Sequence, residues 1–181
     1  MENMEGVENI EIVELKKDQY DMAFKLSSLA REVWTQHYVP IIGLAQVEYM
    51  LKKFQSAEKI LSDIGEDGYS YLLAVENGRL AGYCAFRAEY EAGGVFLSKL
   101  YIEKYSRGRG ISKLFLERLL SHAKESKLDH IWLTVNKYNH TSINIYKKLG
   151  FIIEGELVTD IGGGYVMDDY KMRMDISNNC F

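Results

Sequence analysis

A short loop rich in glycine and positive charge decides the fold, and its sequence is Arg107-Gly108-Arg109-Gly110-Ile111-Ser112-Lys113. It follows a strand-like run at residues 95–102 and precedes an amphipathic helix pattern. Glycines let backbone N–H groups at a helix start approach an anion, and the helix dipole adds a favourable potential. Two arginines and a lysine supply countercharge. The loop predicts a phosphate site, unless its glycines only make a turn and its cations only solubilise the surface.

Two common phosphate motifs do not fit this loop. A P-loop needs Gly-Lys followed by Ser or Thr, whereas Gly110 is followed by Ile111 and Ser112. A dinucleotide-binding fingerprint needs a third glycine at the position of Lys113 and an acidic residue after the next strand, where Asn136 and Lys137 stand. Dinucleotide binding is therefore the weaker alternative.

Apolar spacing before the loop predicts one strand and then helices. Residues 10–15 alternate as a strand, and Asp18 is placed to cap a helix that is followed by a break at Pro40 to Gly43. A second apolar stripe begins at Leu44, and Ser56 is placed to cap a further short helix that ends near Gly65.

Turn signals divide the rest of the chain into strands and two helices. Asn77-Gly78 suits a two-residue turn with positive φ between runs at 69–76 and 79–89. The other predicted elements are strands at 95–102, 131–136, 151–159 and 165–174, and helices that begin at Gly110 and at Thr141. The predicted order is β-α-α-β-β-β-α-β-α-β-β, and we expect residues 1–181 to form a single domain.

Composition limits the classes of function. A formal charge of -4 over 181 residues argues against broad attraction to nucleic acid and favours small or cationic partners. The acidic residues 1–8 lack the positive charge of a secretion leader, and no apolar run reaches the ~18 to 20 residues that span a bilayer. We expect a cytoplasmic protein with no membrane partner. Cys84 and Cys180 make neither a disulfide framework nor a metal cluster, so no metal is expected.

Two motifs resemble those of the GNAT superfamily of N-acetyltransferases. Arg107, Gly110 and Ser112 correspond to the family's R/Q-x-x-G-x-G/A signature, although serine replaces the usual last Gly or Ala. Residues 135–139 and 146–151 are similar to the V-x-x-x-N and Y-x-K-x-G-F segments. The resemblance covers about residues 70–174 and implies an α/β (α+β) fold. That fold is a mostly antiparallel twisted sheet with splayed central parallel strands, flanked by helices.

The resemblance also implies a site for acetyl-CoA as the cosubstrate. The backbone of Leu100, Tyr101 and Ile102 would pair with the pantetheine arm in the manner of an added strand. The loop from Arg107 through Gly108, Arg109, Gly110, Ile111 and Ser112 to Lys113 would hold the pyrophosphate. Asn139 matches a position that contacts coenzyme A, and its alternative role is a helix cap or turn residue.

Tyr146 matches the family's general acid, whose phenol protonates the departing thiolate. Its alternative role is a core tyrosine, since Ile143 and Leu149 lie at helical spacing from it. The general base is open, because Ser98 and Thr134 stand where different relatives carry a glutamate. The remaining candidates are a water relay and the carboxylates of Glu89, Glu91, Asp168 and Asp169.

The acceptor is expected to be a primary amine of a small molecule. Residues 160–170 resemble a tail found in a bacterial branch that includes spermidine and spermine acetyltransferases, which puts polyamines ahead of other amines. Candidate acceptor residues are His37, Tyr38, Glu89 and Asp168. The alternatives are an acetyltransferase of amino acids or protein N-termini, and a coenzyme A-binding sensor without turnover. An exposed strand edge leaves a homodimer open.

Overall fold

Seven strands and five α-helices lie along residues 10–178, which are those that the computed structural model of the chain describes. The acidic residues 1–8 and Cys180 lie outside this range. The elements are β1 (Ile10–Glu14), α1 (Tyr20–Ile42), α2 (Leu44–Phe54), α3 (Ala57–Gly65), β2 (Ser70–Glu76), β3 (Arg79–Glu89), β4 (Gly94–Ile102), α4 (Ile111–Glu125), β5 (His130–Asn136), α5 (His140–Lys148), β6 (Ile152–Gly162) and β7 (Tyr165–Asp175). Short 3₁₀ turns occupy Lys104–Ser106 and Ile176–Asn178.

The strands form one mixed sheet, which confirms the predicted fold class. Over residues 10–178 the strand order is β1-β2-β3-β4-β5-β7-β6. The pairs β1/β2, β2/β3, β5/β7 and β6/β7 are antiparallel, whereas β4 and β5 are parallel. The parallel register joins Gly94 to His130 and ends, within the described residues, with Phe96 opposite Trp132. Strands that splay apart can pair over only part of their length. The short register between β4 and β5 is therefore consistent with the predicted splayed parallel strands.

By their internal contacts, the described residues group into two compact units. The first comprises residues 10–87 and 99–118, and the second comprises residues 88–98 and 119–178. No helix among the described residues is both long enough and apolar enough to cross a bilayer.

The first unit is built on an apolar stripe of α1. Ala23, Leu26, Ala30 and Val33 are buried at helical spacing, and they pack into a core that includes Tyr83. This stripe and that of α2, with Val47 and Leu51 buried, follow the predicted periodicity. Burying such side chains contributes roughly 1.5 to 3 kcal/mol each.

The predicted cap of α1 was wrong by one residue, and of the predicted break at Pro40 to Gly43 only Gly43 lies outside the helices. The cap residue is Gln19 rather than Asp18, because the Gln19 side chain accepts a hydrogen bond from the Lys16 N–H (2.9 Å) and closes the turn there. The helix also continues through Pro40 to Ile42 and ends at Gly43, whose φ is 82°. Pro40 has no N–H for the Gln36 carbonyl, so the last turn of α1 lacks one hydrogen bond, and the helix ends two residues later.

Ser56 and Asn77-Gly78 behave as predicted. The Ser56 hydroxyl accepts a hydrogen bond from the Lys59 N–H (3.2 Å) and caps α3. Because α3 is a full helix, three helices rather than two precede the hairpin. Asn77 and Gly78 have φ values of 49° and 77°, as a tight turn between β2 and β3 requires.

A buried ionic network joins α3, β2 and β4 within the first unit. The Asp63 carboxylate accepts hydrogen bonds from Lys99 Nζ (2.8 Å) and from the Tyr71 hydroxyl (2.5 Å), and it forms an ion pair with Lys59 Nζ (2.6 Å). Burial opposes ionisation of Asp63, but Lys99 and Lys59 outweigh that cost and hold its pKa below the usual range. Burial also lowers the pKa of Lys99, which the Asp63 carboxylate opposes.

In the second unit, the register of β5 and β7 decides which side chains share a face. Trp132 lies opposite Arg173, Thr134 opposite Lys171, and Asn136 opposite Asp169. Directly opposed residues of an antiparallel pair project from the same face of a sheet. Thr134, Asn136 and Asp169 therefore lie together on one face, at the C-terminal end of β5.

Asp63→Asn should destabilise the protein by about 3 to 5 kcal/mol, since it leaves the ammonium of Lys99 buried without a counter-ion. Urea unfolding measures this difference. The matched control is Asp67→Asn, because the Asp67 carboxylate also pairs with Lys59 (2.8 Å) but is half exposed. This substitution should lower the free energy of unfolding by no more than about 1 kcal/mol. Equal effects of the two substitutions would contradict a central role for Asp63.

Candidate active site

The predicted phosphate loop lies between a 3₁₀ turn and α4. Gly108 and Gly110 have φ values of 76° and 81°, a backbone conformation that side chains other than glycine rarely adopt. A Cβ atom at either glycine would meet no heavy atom within 4 Å, so the backbone conformation and not crowding demands glycine. The N–H groups of Lys113 and Leu114 donate to the Gly110 carbonyl (3.0 and 3.1 Å), which starts α4. The N–H groups just before them have no acceptor within the helix and are placed for an anion.

Three cationic side chains lie at or near this helix start, and they differ in exposure and in ion pairing. Arg107 and Lys113 are exposed, and the Arg107 Nε–H donates to the Ile102 carbonyl (3.1 Å), which fixes the base of its side chain. Arg109 instead forms an ion pair with Glu76 at the end of β2. The Ser106 hydroxyl also donates to Glu76 (3.2 Å). Arg109 therefore helps to anchor the loop, and much of its charge is compensated.

The strand segment Leu100–Ile102 runs unusually close to β3 within the first unit. A Cβ atom on Gly82 would lie 2.7 Å from the Tyr101 carbonyl oxygen, so only glycine fits there. The Glu103 N–H donates to the Ala81 carbonyl (2.9 Å) just beyond this point. Gly82 was not identified from the sequence, because a glycine inside a strand pattern does not reveal which backbone approaches it.

The structure brings two predicted site residues together in an aromatic cluster. The hydroxyl oxygens of Tyr38 and Tyr101 are 3.4 Å apart. The Trp34 ring centroid lies 5.0 Å from that of Tyr38 and 5.4 Å from that of Tyr101, and His37 packs edge-on to Tyr38. The predicted acceptor residues on α1 thus border the predicted pantetheine strand.

Asn139 is both a helix cap and a buried donor. Its side-chain oxygen accepts a hydrogen bond from the Ser142 N–H (3.2 Å), which confirms the capping role at the start of α5. The residue is only 2% exposed, and its Nδ2 has no hydrogen-bond partner within the described residues. A buried amide left unpaired costs about 1 to 3 kcal/mol. An amide donor of this kind fits a ligand that supplies an oxygen, as the polar groups of coenzyme A do.

Tyr146 lies on α5 and is half-buried rather than part of the core. Its ring packs edge-on against Phe151 with centroids 5.7 Å apart, whereas Ile143 is the buried residue of this helix. On this helix Ile143 is buried, whereas Tyr146 is half-buried.

The candidate carboxylates differ in their surroundings. Glu89 accepts a hydrogen bond from Trp132 Nε1 (3.0 Å) and is half-buried, while Glu91 is exposed in the next turn. Asp168 forms an ion pair with Lys137 (2.6 Å). Asp169 is only 4% exposed. The predicted division of Asp168 and Asp169 between opposite faces of β7 agrees with their different exposure and register partners.

Comparisons with known proteins identify the family to which this fold belongs. The family model described as "Acetyltransferase (GNAT) family" matches residues 27–151, so the chain belongs to that family. The chain is 30% identical, over 135 residues, to a probable spermine N(1)-acetyltransferase of Bacillus subtilis subsp. natto (strain BEST195), with 70% of this chain and 88% of that protein covered. A spermine/spermidine N(1)-acetyltransferase of Bacillus subtilis (strain 168) is 29% identical over the same length and coverage.

Solved structures support the same fold. The PaiA N-acetyltransferase of Thermoplasma acidophilum, crystallised in complex with coenzyme A, superposes with a TM-score of 0.76 at 24% identity over 92% of this chain and 98% of that one. A chimera of the spermidine N-acetyltransferase SpeG from Vibrio cholerae has a TM-score of 0.64 at 18% identity, over 94% and 97% of the two chains.

Acetyl-CoA at 100 times its Kd should raise the melting temperature by about 5 to 10 °C, because a ligand of the folded state alone adds roughly 2.7 kcal/mol at that ratio. Arg107→Glu should weaken binding about tenfold or more by placing an acid beside the phosphates. The control is Arg118→Glu, an exposed position on α4. A wild-type protein whose melting temperature stays constant in millimolar acetyl-CoA would disprove the phosphate-loop assignment.

Proposed function

We propose that this protein transfers the acetyl group of acetyl-CoA to a primary amine of a small molecule by direct attack, with polyamines as the leading acceptor class. In this proposal residues 1–181 act as one acetyltransferase domain. The observation that carries it is the start of α4, where two glycines with positive φ and exposed cations prepare unpaired N–H groups for a phosphate.

In the second unit, the buried Nδ2 of Asn139 has no hydrogen-bond partner within the described residues, which supports a ligand that supplies an oxygen. The backbone of Leu100–Ile102 is the proposed partner of the pantetheine arm, and its N–H groups are suited to polarise a thioester carbonyl. Because these bonds come from the main chain, side-chain changes at the three positions should affect binding less than changes in the loop.

Tyr146 is the proposed general acid. A phenol with a pKa near ~10 stays protonated at neutral pH and can donate to a leaving thiolate. The partial exposure of Tyr146 supports this role over a purely structural one, since a reacting hydroxyl needs access to the substrate.

Polyamine acceptors are supported by the relatives and by the electrostatics of the second unit. The relatives with about 30% identity are named for spermine or spermidine acetylation. Glu89 is half-buried and accepts a hydrogen bond from Trp132 Nε1 (3.0 Å), while the Asp168 carboxylate forms an ion pair with Lys137. Glu89 is the carboxylate that we propose to contact an ammonium group of the acceptor.

The proposal is tested by measuring free thiol released from acetyl-CoA in the presence of a panel of amines. We expect turnover with spermidine and spermine above that with amino acids or aminoglycosides. Turnover only with neutral or anionic acceptors would refute the polyamine assignment alone. Binding of coenzyme A without thiol release for any amine would instead identify a binding module.

Tyr146→Phe should lower kcat by about 10²- to 10⁴-fold while leaving the affinity for coenzyme A unchanged, because it removes a proton donor and almost no volume. Steady-state kinetics and calorimetric titration with coenzyme A separate these two effects. Phe151→Leu, which alters the ring packed against Tyr146, is the packing control. Full activity of Tyr146→Phe would exclude the phenol as the acid.

Glu89→Gln should raise the KM for spermidine by roughly 2- to 10-fold more than the KM for a singly charged amine, since a triply charged acceptor loses more attraction. The control, Glu125→Gln, removes an exposed carboxylate at the end of α4. Equal changes in both KM values would place the recognition of charge elsewhere.

A further inference from the structure

A cavity of about 490 Å³ lies between α1 and the end of α2 in the first unit, and we call it the α1–α2 cavity. Its volume falls within the range of roughly 300 to 1,000 Å³ that is usual for small-molecule sites. Polar and charged side chains make up most of its lining, among them Ser27, Arg31, Glu48, Lys52, Gln55 and Ser56. None of the residues proposed above for coenzyme A or the acceptor lines it.

The polar side chains of the α1–α2 cavity come from two helices that face each other. Glu48 and Lys52 are four residues apart on α2, and Gln55 caps that helix three residues later. Side chains at these spacings lie next to one another along one side of a helix. The Arg31 guanidinium of α1 reaches across to the Glu48 carboxylate (2.7 Å). A molecule in the cavity would therefore meet Lys52 and Gln55 together.

Gln55 carries a buried donor in the wall of this cavity. The residue is only 1% exposed, and its Oε1 accepts a hydrogen bond from the hydroxyl of the buried Tyr83 (3.3 Å). The Gln55 Nε2 has no hydrogen-bond partner within residues 10–178. Leaving a buried N–H unpaired costs free energy, and most such groups in proteins are paired. The amide therefore fits a ligand that supplies an oxygen.

The charges of the cavity favour an anion of low charge. Arg31 and Glu48 neutralise each other, whereas Lys52 forms no ion pair with any residue that the structure describes. One ammonium group thus remains to attract an anion. A carboxylate has one negative charge and two acceptor oxygens, one for each of the two donors. A phosphate monoester carries about −1.5 to −2 charges and would leave excess negative charge near Glu48.

We propose that the α1–α2 cavity is a binding site for a small organic carboxylate. The ammonium of Lys52 pairs with one carboxylate oxygen, and Gln55 Nε2 donates a hydrogen bond to the other. Occupation of this cavity does not require acetyl transfer, because none of the residues proposed for the transfer lines it.

Nuclear magnetic resonance titration tests this site, because the side-chain amide of Gln55 gives a signal of its own, identified by its loss in Gln55→Met. The probes are lactate, glutarate and gluconate, each compared with its neutral amide, and inorganic phosphate. At least one carboxylate should cause saturable shifts of the Gln55 side-chain signal and of the backbone amides of residues 52–56. Its neutral amide and phosphate should bind about tenfold more weakly or less. Carboxylates that leave all these signals unmoved would overturn the proposal.

Two exposed residues of α2 should change the affinity in opposite directions. Lys52→Met should raise the Kd of the best carboxylate about tenfold, because it removes the charged donor. Glu48→Gln should lower that Kd about 2- to 5-fold, because it removes a negative charge and frees the Arg31 guanidinium. The control Lys25→Met, an exposed lysine of α1 that does not line the cavity, should leave the Kd unchanged. A damaged fold cannot tighten binding, so the Glu48→Gln result separates contact from loss of structure.

Four results would contradict a carboxylate site. Equal binding of a carboxylate and its neutral amide would exclude recognition of charge, and equal binding of phosphate would exclude selection of a carboxylate. Shifts confined to residues 110–112 would place the anion at the phosphate loop instead. Weaker binding by Glu48→Gln would refute the charge balance of the cavity. If no amine releases thiol from acetyl-CoA, the proposed acetyl transfer fails, and the outcome of these titrations is unaffected.

Discussion

The first unit depends on the buried carboxylate of Asp63. A single side chain on α3 binds Lys99 of β4 and Tyr71 of β2, so the helix and both strands share one ionic centre. Removing one partner leaves a buried charge without a counter-ion, and this loss of stability exceeds the net contribution of the intact pair. The network therefore holds α3, β2 and β4 together. The residue after Lys99 begins the segment whose backbone is proposed to pair with pantetheine. The position of that segment is therefore set by an interaction that takes no part in the chemistry.

Local patterns in the sequence predicted most of the fold because most of it has local causes. The Asn77-Gly78 turn, the Ser56 cap and the glycines of the phosphate loop each depend on residues within a few positions. The start of α1 also has a local cause: the Gln19 side chain accepts a hydrogen bond from the Lys16 N–H, and the helix begins after Gln19 rather than after Asp18. A proline predicts that a helix ends nearby but does not fix the residue, and α1 continues two residues past Pro40 to Ile42.

The site could be predicted only as far as motifs extend. The motif resemblance named Tyr146, Asn139 and the loop, but it could not show that Asn139 Nδ2 is buried without a partner. The partners that define the remaining chemistry are distant in the chain: Glu76 meets Arg109, Gly82 meets the Tyr101 carbonyl, and Thr134 meets Asp169. Sequence spacing carries no information on such pairs, and only the strand order and register bring them together. Asp169 is an example, because its pKa is raised mainly by burial, which its neighbours in sequence do not indicate.

The central proposal is that this chain holds coenzyme A through the backbone of Leu100–Ile102 and the start of α4. Amide hydrogen exchange with and without coenzyme A tests it most directly, because protection is read residue by residue. The account predicts slower exchange at Leu100–Ile102 and at residues 110–112 on adding coenzyme A, with α2 unchanged. Binding that leaves both segments unprotected, or that protects α1 and α2 instead, would contradict it.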